Sequence, residues 1–188
     1  IKSYVNTTDR VRFALMAFNR DSNGNTVKYD SVNKLEYVFG DSRDDPLTAP
    51  WDANGGQVLG FVDEAKNGKT SLFSTLASFK NDSWSPLAET LYDAGTYFQS
   101  GKDGYSSPVQ YPCQKLYILI ISDGKPNKDN RPGLSSIGDL TGDGKAGQLD
   151  DVAKYLFNLD LTGGKYRTPQ NIKTYTIGFS VDDPLLKE

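Results

Sequence analysis

The hydrophobic positions of the chain fall into short runs that predict β-strands. The stretches VRFALMAF (11–18), KLYILIIS (115–122) and NIKTYTIGFS (171–180) have the length, apolar content and polar flanks of strands, and 34–39 and 57–62 are shorter candidates. The run at 115–122 is almost continuously apolar, which is typical of a strand buried on both faces. We therefore expect this strand to be buried on both faces.

Between these runs the apolar positions repeat with the period of a helix. One helix is predicted from Ser85, with Pro86 at its first position and an apolar stripe at Leu87, Leu91, Ala94 and Phe98. A second begins near Leu149, with a stripe at Leu149, Val152, Ala153, Leu156 and Phe157, and 70–79 is a weaker third. Strands that alternate with helices predict an α/β fold around a mostly parallel sheet. The polar inserts 19–33, 40–56 and 100–112 are predicted surface loops or small hairpins.

Length and composition narrow the possible functions. A chain of 188 residues favours one domain, and a net charge of −3 gives no electrostatic reason to expect nucleic acid as a partner. Histidine is absent from the sequence, which excludes Ser-His and Cys-His catalysis and histidine-ligated zinc. The longest apolar run is far shorter than the roughly 20 residues that span a bilayer, so no membrane span is expected. Cys113 is the single cysteine, so any disulfide would need a partner outside this chain.

The stretch DLTGDGKAGQLDD (139–151) has the spacing of a calcium-binding loop. Counted from Asp139, oxygen-bearing side chains stand at positions 1, 3, 5 and 12, which are Asp139, Thr141, Asp143 and Asp150. Gly144 occupies position 6, where an EF-hand loop turns sharply, and Lys145 occupies position 7, which supplies a backbone carbonyl. Thr141 is a neutral ligand where an acid is usual, and Asp150 is shorter than the usual glutamate. The spacing predicts a calcium site.

The alternative is an acidic, glycine-rich turn in which Asp150 and Asp151 interact favourably with the helix N-terminus. A smaller cluster, NRDSNGNT (19–26), lacks the closing acid of a calcium loop and is interpreted as a hairpin turn. Asp123 follows the most apolar strand, where ligands gather in parallel α/β sheets, although an Asp-Gly pair there also suits a simple turn. Ser85 likewise suits a helix N-cap.

Four segments in order, SPLAETLYDAGTYF, CQKLYILIISDGKPN, LDDVAKYLFNLDL and QNIKTYTIGFS, resemble the von Willebrand factor A domain of the PilY family, the type IV pilus tip-associated adhesins. The resemblance covers most of 11–180 apart from the loops. It implies a doubly wound, mostly parallel sheet with helices on both faces and a metal-ion-dependent adhesion site at the top of the sheet. Ser85 and Asp123 match two ligands of that site, whose hard oxygens suit Mg²⁺, Mn²⁺ or Ca²⁺. A cysteine near position 113 is also part of the resemblance.

The chain departs from the family pattern at both ends. The main metal motif, Asp-x-Ser-x-Ser, and the first strand that carries it should precede 11–18 by a helix, and the family's final helix and strand should follow 171–180. We expect a domain, 1–188, that is truncated at both ends relative to the family. Since the first strand lies centrally, between 11–18 and 115–122, a preceding segment or a separate chain is expected to supply it.

The resemblance implies a non-enzymatic adhesion module, exported to the cell surface at the pilus tip. It would act in surface attachment, pilus assembly or twitching, with pilus subunits or a host or surface ligand as partners. The alternative is a calcium-stabilised structural module without a ligand of its own. A nucleotide-binding loop at NGKTS (67–71) is the least favoured interpretation, because Asp63 stands where a P-loop needs glycine and its carboxylate would repel phosphate.

Overall fold

The computed structural model describes residues 11–18, 26–30, 35–39, 55–62, 77, 85–111, 113–123, 125, 126, 129, 131, 133–165 and 167–179. In chain order its elements are β1 (Phe13–Phe18), β2 (Thr26–Asp30), β3 (Leu35–Phe39), β4 (Gly56–Val62), α1 (Leu87–Ser100), β5 (Leu116–Ser122), a 3₁₀ helix (Leu134–Ile137), α2 (Leu149–Asn158) and β6 (Ile172–Gly178). All five predicted strands and the two stronger predicted helices are therefore confirmed. The weaker helix at 70–79, apart from residue 77, and the 67–71 motif lie outside the described residues.

The first four strands form two antiparallel pairs. β1 pairs with β4, with a register shift between Leu15 and Met16, and β2 pairs with β3 as a hairpin. A bulge of this kind bends the strand and increases its twist. β2 falls within the polar insert at 19–33, β3 is the strand predicted at 34–39, and most of the 19–26 cluster lies outside the described residues. The pairing of β1 is antiparallel, and the expected parallel arrangement is found elsewhere in the chain.

The parallel part of the fold consists of β5 and β6, which run in register from Leu116 opposite Ile172 to Ser122 opposite Gly178. Burial alternates along both strands. The expectation that 115–122 is buried on both faces is therefore wrong. The apolar run contains two sets of side chains, and only one of them meets the helices.

Both helices bury one stripe of apolar side chains. In α1 the buried stripe is Leu87, Leu91, Ala94 and Tyr97, and in α2 it is Leu149, Val152 and Leu156. Two details of the prediction are wrong. Pro86 is the N-cap of α1 and not its first helical residue, and Phe157 is 47% exposed because it lies outside the stripe of α2. Gly95 lets the helices approach closely, since a Cβ there would clash with the Leu156 side chain.

The hydrophobic core lies between these two helices and the parallel strands. Its buried members come from α1, α2, β5 and β6, together with Leu134 of the 3₁₀ helix and Leu161 after α2, and Phe18 of β1 packs against it. The architecture is thus mixed α/β, with one parallel strand pair covered on one face by helices. Among the described residues the strands form three separate pairs, and β1 is not hydrogen-bonded to β5. No helix in the described ranges is long and apolar enough to cross a membrane.

Candidate metal centre

The predicted calcium loop lies between the 3₁₀ helix and α2. Asp139 organises its first half, because its two carboxylate oxygens accept the N–H groups of Gly142 at 2.6 Å and Gly144 at 2.8 Å. Gly144 has a φ of 88°, in the region that favours glycine, as the sharp turn at position 6 requires. The first half of the loop is therefore wrapped around one carboxylate.

The second half of the loop closes onto Asp150. The Thr141 hydroxyl donates to Asp150 Oδ2 at 2.7 Å, so the structure brings together the third and twelfth positions of the predicted loop. Asp150 belongs to the first turn of α2, which holds the carboxylate in place. It is only 6% exposed, and its other oxygen, Oδ1, has no hydrogen-bond partner among the described residues. A buried carboxylate oxygen without a donor is costly, and a cation is one group that would satisfy it.

The remaining predicted ligands, Asp143 and Lys145, lie at the exposed tip of the loop. Asp143 Oδ1 accepts the Lys145 N–H at 2.8 Å, which tightens the turn. Within the described part of the chain, no three acidic or cysteine side chains converge on one point where an ion could sit. In the structure the Thr141 hydroxyl therefore hydrogen-bonds to Asp150, whereas the carboxylates of Asp139 and Asp143 accept hydrogen bonds from backbone N–H groups of the loop.

Asp151 organises the loop, a role that the spacing argument did not assign to it. It is fully buried, and its carboxylate accepts the N–H groups of Leu140 at 2.7 Å, Thr141 at 3.1 Å and Gln148 at 3.3 Å. This carboxylate ties the start of the loop to the start of α2. The signal was present in the sequence, because an acid three residues after a helix N-cap commonly accepts the N-cap N–H. The predicted electrostatic role of Asp150 and Asp151 at the helix N-terminus agrees with their place in the first turn of α2.

A neighbouring acidic loop shows a carboxylate that is already satisfied. Asp160 accepts hydrogen bonds from the N–H and hydroxyl of Thr162, from the Gly164 N–H and from the Gln170 N–H. These donors, the Gln170 N–H first, hold the pKa of Asp160 below its usual value. Asp160 needs no cation, in contrast to Asp150.

The two residues matched to the adhesion site lie at the ends of different elements. Asp123 follows the carboxyl end of β5 and is exposed, as expected for a residue beyond a parallel strand. Ser85 precedes Pro86, and its carbonyl accepts the Leu87 N–H at 2.9 Å. The N-cap interpretation of Ser85 is wrong, because Pro86 holds that position and no side-chain hydrogen bond caps the helix.

A second acidic cluster, which the sequence reasoning missed, lies at the start of α1. Glu89 and Asp93 are buried one turn apart, and Arg131 binds both. The guanidinium donates to the two oxygens of Asp93 at 2.6 and 2.8 Å, and the Arg131 N–H donates to Glu89 Oε1 at 2.6 Å. Asp93 also accepts the Gly56 N–H at 2.9 Å, which links α1 to β4. Two acids spaced i, i+4 on the apolar side of a helix were the available signal.

Asp129 completes this cluster from the loop after β5. Its Oδ1 accepts the Glu89 N–H at 3.1 Å at the first turn of α1. Burial raises the pKa of Asp129 from 3.8 to about 6, against the lowering effect of the backbone N–H groups of Glu89 and Ala88 and of the Arg131 charge. The hydrogen bonds that the Arg131 guanidinium donates to the Asp93 carboxylate raise the pKa of Arg131. The ion pair and hydrogen bonds of this cluster thus hold the loop after β5 against α1.

Cys113 is exposed, whereas free cysteines in proteins are more often small buried apolar residues. The residue lies ahead of β5 in the chain. No protein-family model, curated protein or solved structure matches this chain.

Proposed function

We propose that this chain is a calcium-binding adhesion module with a von Willebrand factor A-like fold. The observation that carries the calcium part is the Asp150 carboxylate. It is buried, its Oδ2 is held by Thr141, and its Oδ1 has no hydrogen-bond partner in the described part of the chain. Calcium bound in the 139–150 loop would supply the missing interaction.

The donor set of the loop suits calcium. Asp139, Asp143 and Asp150 offer carboxylates, Thr141 offers a hydroxyl, and Lys145 offers a backbone carbonyl. Each Asp139 oxygen accepts one N–H in the structure, and a carboxylate has about four acceptor positions in all, so acceptor capacity remains for a metal. Calcium accepts six to eight oxygen ligands at flexible angles. It can therefore bind to a loop whose ligands come closer to one another on binding.

The adhesion part of the proposal depends on the resemblance and on the strand pairing. Asp123 stands beyond the carboxyl end of a parallel strand, where ligands of α/β sheets bind. Among the described residues β1 and β5 are not hydrogen-bonded to each other, which is compatible with a central strand between them. A preceding segment or a separate chain would supply that strand with the Asp-x-Ser-x-Ser motif. Together with Ser85 and Asp123 it would complete a doubly wound sheet and a site for Mg²⁺ or Mn²⁺.

In this proposal the module works outside the cell at the tip of a type IV pilus, where it binds pilus subunits or a surface ligand and catalyses no reaction. An extracellular setting supplies millimolar calcium, so a loop of modest affinity would be filled. A second candidate is a calcium-stabilised structural module. It is favoured by one observation: among the described residues, the loop carboxylates hydrogen-bond to groups of the loop and of the start of α2.

Calorimetric titration with calcium chloride tests the calcium site. Wild type should bind one calcium ion, and Asp143→Ala should weaken binding at least tenfold because a charged ligand is lost. Lys145→Ala is the matched control: it removes another exposed side chain two residues away but keeps the backbone carbonyl, so it should bind as wild type does or slightly tighter. Absence of calcium binding by wild type, or equal weakening by both variants, would contradict the proposed site.

The adhesion function needs a separate test. Wild type assembled with the segment that supplies the Asp-x-Ser-x-Ser motif, and immobilised in calcium and Mg²⁺, should capture pilus subunits, and EDTA or Asp123→Ala should abolish capture. Capture that survives both treatments would contradict metal-dependent adhesion. A loss of thermal stability in EDTA with no metal-dependent partner would favour the structural module.

A further inference from the structure

A polar cavity lies between the two segments that lead into the parallel strands. The chain enters β5 from the segment 101–115 after α1, and it enters β6 from the segment 159–171 after α2. Where these segments meet, at the amino ends of the strands, they leave a cavity of about 360 Å³. We call it the amino-end cavity; the residues that line it include Gln99, Ser107, Val109, Leu161, Thr162 and Lys165. Its volume is near the lower limit of the roughly 300 to 1,000 Å³ of small-ligand sites, so it suits a ligand of about one or two six-membered rings.

Two hydroxyl groups of the amino-end cavity can only accept further hydrogen bonds. The Ser107 hydroxyl donates its proton to the Phe98 carbonyl and accepts the Val109 N–H at 3.2 Å. The Thr162 hydroxyl donates its proton to Asp160 Oδ1 at 2.9 Å. Because a hydroxyl has one proton and two lone pairs, each of these oxygens keeps acceptor capacity but has no proton left to donate. A ligand that binds these oxygens must therefore carry hydrogen-bond donors.

Other groups of the amino-end cavity donate hydrogen bonds or are apolar. Gln99, in the last turn of α1, has a carboxamide, and Lys165 has an ammonium group; both side chains are exposed. Leu161 belongs to the hydrophobic core, and Val109 packs against it, so the two add a fixed apolar surface to the wall. The cavity thus combines acceptors, donors, a positive charge and a small apolar surface. A bare sulfate ion would provide no donors for the two hydroxyl oxygens.

The amino ends of the strands also carry an excess of positive charge, although the chain as a whole is acidic. The segments 101–115 and 159–173 hold five basic and two acidic residues, whereas 123–131 and 139–151, after β5 and before α2, hold four basic and six acidic residues. Four of the five basic side chains are exposed, namely Lys115, Lys165, Arg167 and Lys173. Charges of one sign at one end of a domain attract an anionic ligand, and salt screens this attraction.

We propose that the amino-end cavity binds an acidic saccharide, whose ring carries hydroxyl groups and a carboxylate, as the uronic acids of cell-surface polysaccharides do. The sugar hydroxyls would donate to Ser107 and Thr162, and the carboxylate would accept a hydrogen bond from Lys165. The C–H groups of the ring would pack on Val109 and Leu161. The site needs no metal and lies at the opposite end of the strands from the proposed metal sites. The inference therefore goes beyond the proposed function, and it can fail while the calcium site stands.

Calorimetric titration of the full chain with trigalacturonate tests this site. The titration is done in EDTA, because uronates bind calcium and the result must not depend on the 139–150 loop. Wild type should bind the probe with a dissociation constant of millimolar order or tighter. It should bind the matched neutral probe, whose carboxylates are reduced to hydroxymethyl groups, about fivefold more weakly, because the ion pair with Lys165 is lost.

Three variants separate the contributions to binding. Lys165→Gln should weaken binding of trigalacturonate about fivefold and leave binding of the neutral probe unchanged, because only the charge is lost. Thr162→Val should weaken binding of both probes, because it removes an acceptor for the sugar hydroxyls. Lys125→Gln is the matched control: it removes another exposed positive charge, after β5 at the opposite end of the strands, and it should bind as wild type does.

The location of the site is tested by NMR. Trigalacturonate should shift the backbone signals of Gln99, Val109 and Thr162 and spare those of Gly142 and Gly144. Absence of binding by wild type, shifts confined to other parts of the chain, equal affinity for the neutral probe, or equal weakening by the two lysine variants would overturn the proposal. So would displacement of the probe by sulfate at constant ionic strength, because the cavity would then recognise negative charge without the hydroxyl groups.

Discussion

Asp150→Asn should separate the calcium-bound state from the calcium-free state of the loop. The substitution keeps an oxygen that can accept the Thr141 hydroxyl, whose distance to Asp150 Oδ2 is 2.7 Å. It removes the negative charge and the buried Oδ1 that has no hydrogen-bond partner among the described residues. A single change thus deletes the proposed metal ligand with little change in shape.

Without calcium, the substitution has two opposing effects of similar size. Replacement of the buried carboxylate by a neutral amide removes the cost of the buried charge but leaves a buried polar atom at the Oδ1 position, so it should stabilise the fold by about 1 kcal/mol. Loss of a negative charge from the first turn of α2 should destabilise it by about 0.3 to 1 kcal/mol. The expected difference in the free energy of unfolding between variant and wild type in EDTA is therefore about 0 to 1 kcal/mol in favour of the variant.

With calcium, the order should reverse. A ligand at one hundred times its dissociation constant stabilises the native state by about 2.7 kcal/mol, which corresponds to roughly 5 to 10 °C in the melting temperature for a chain of this size. A variant whose affinity is tenfold lower would gain only about 1.4 kcal/mol at the same calcium concentration. Wild type should then be the more stable protein.

Urea unfolding followed by circular dichroism, in calcium and in EDTA, measures these differences. Asp160→Asn is the control. The Asp160 carboxylate accepts four hydrogen bonds and lies outside the proposed calcium loop, so the substitution should lower the free energy of unfolding equally in calcium and in EDTA. The reasoning is refuted if calcium stabilises wild type and Asp150→Asn to the same extent. It is also refuted if the variant loses more than about 2 kcal/mol in EDTA, since Asp150 would then act through its bond to Thr141.

Three further predictions concern the remainder of the fold. The pKa of Asp129 is about 6 in the folded chain and 3.8 without burial, so between these pH values the folded state holds a proton that the unfolded state has lost. The free energy of unfolding should therefore fall by on the order of 3 kcal/mol as the pH rises from about 4 to 6. Urea midpoints across this range should be flatter for Asp129→Asn, and an unchanged slope would contradict the assignment. Asp93→Ala leaves the Arg131 guanidinium without its bidentate partner and should cost about 3 to 5 kcal/mol by the same assay; a loss below about 1 kcal/mol would mean that the pair is solvated. Gly95→Ala should lower the melting temperature despite the better helix propensity of alanine, because overpacking against Leu156 costs about 1 to 3 kcal/mol, and a rise would show that the helices can separate.

The strands and helices were predictable because their signals are local. The apolar alternation at 171–180, the run at 115–122 and the stripes of the two helices each lie within a dozen residues and are confirmed as β6, β5, α1 and α2. Part of the loop after residue 138 was also predictable from the sequence, because the spacing along the chain indicates the turn at Gly144 and the approach of Thr141 to Asp150.

What joins distant segments could not be read in this way. In the acidic cluster at the start of α1, Arg131 binds Asp93, which lies 38 positions earlier in the sequence. No sequence period encodes that contact. The N–H groups that Asp151 accepts depend on how the loop folds back over α2, which spacing alone does not specify.

The sequence by itself determined where strands, helices and the acidic loop lie, because hydrophobic period and turn residues act over a few neighbouring positions. Only the tertiary structure decided which strands pair, that β1 runs antiparallel to β4, and that β5 buries one face and exposes the other. Those properties are set by partners far away in the chain. The apolar run of β5 is the same sequence whether one face or both are covered, and packing alone decides which.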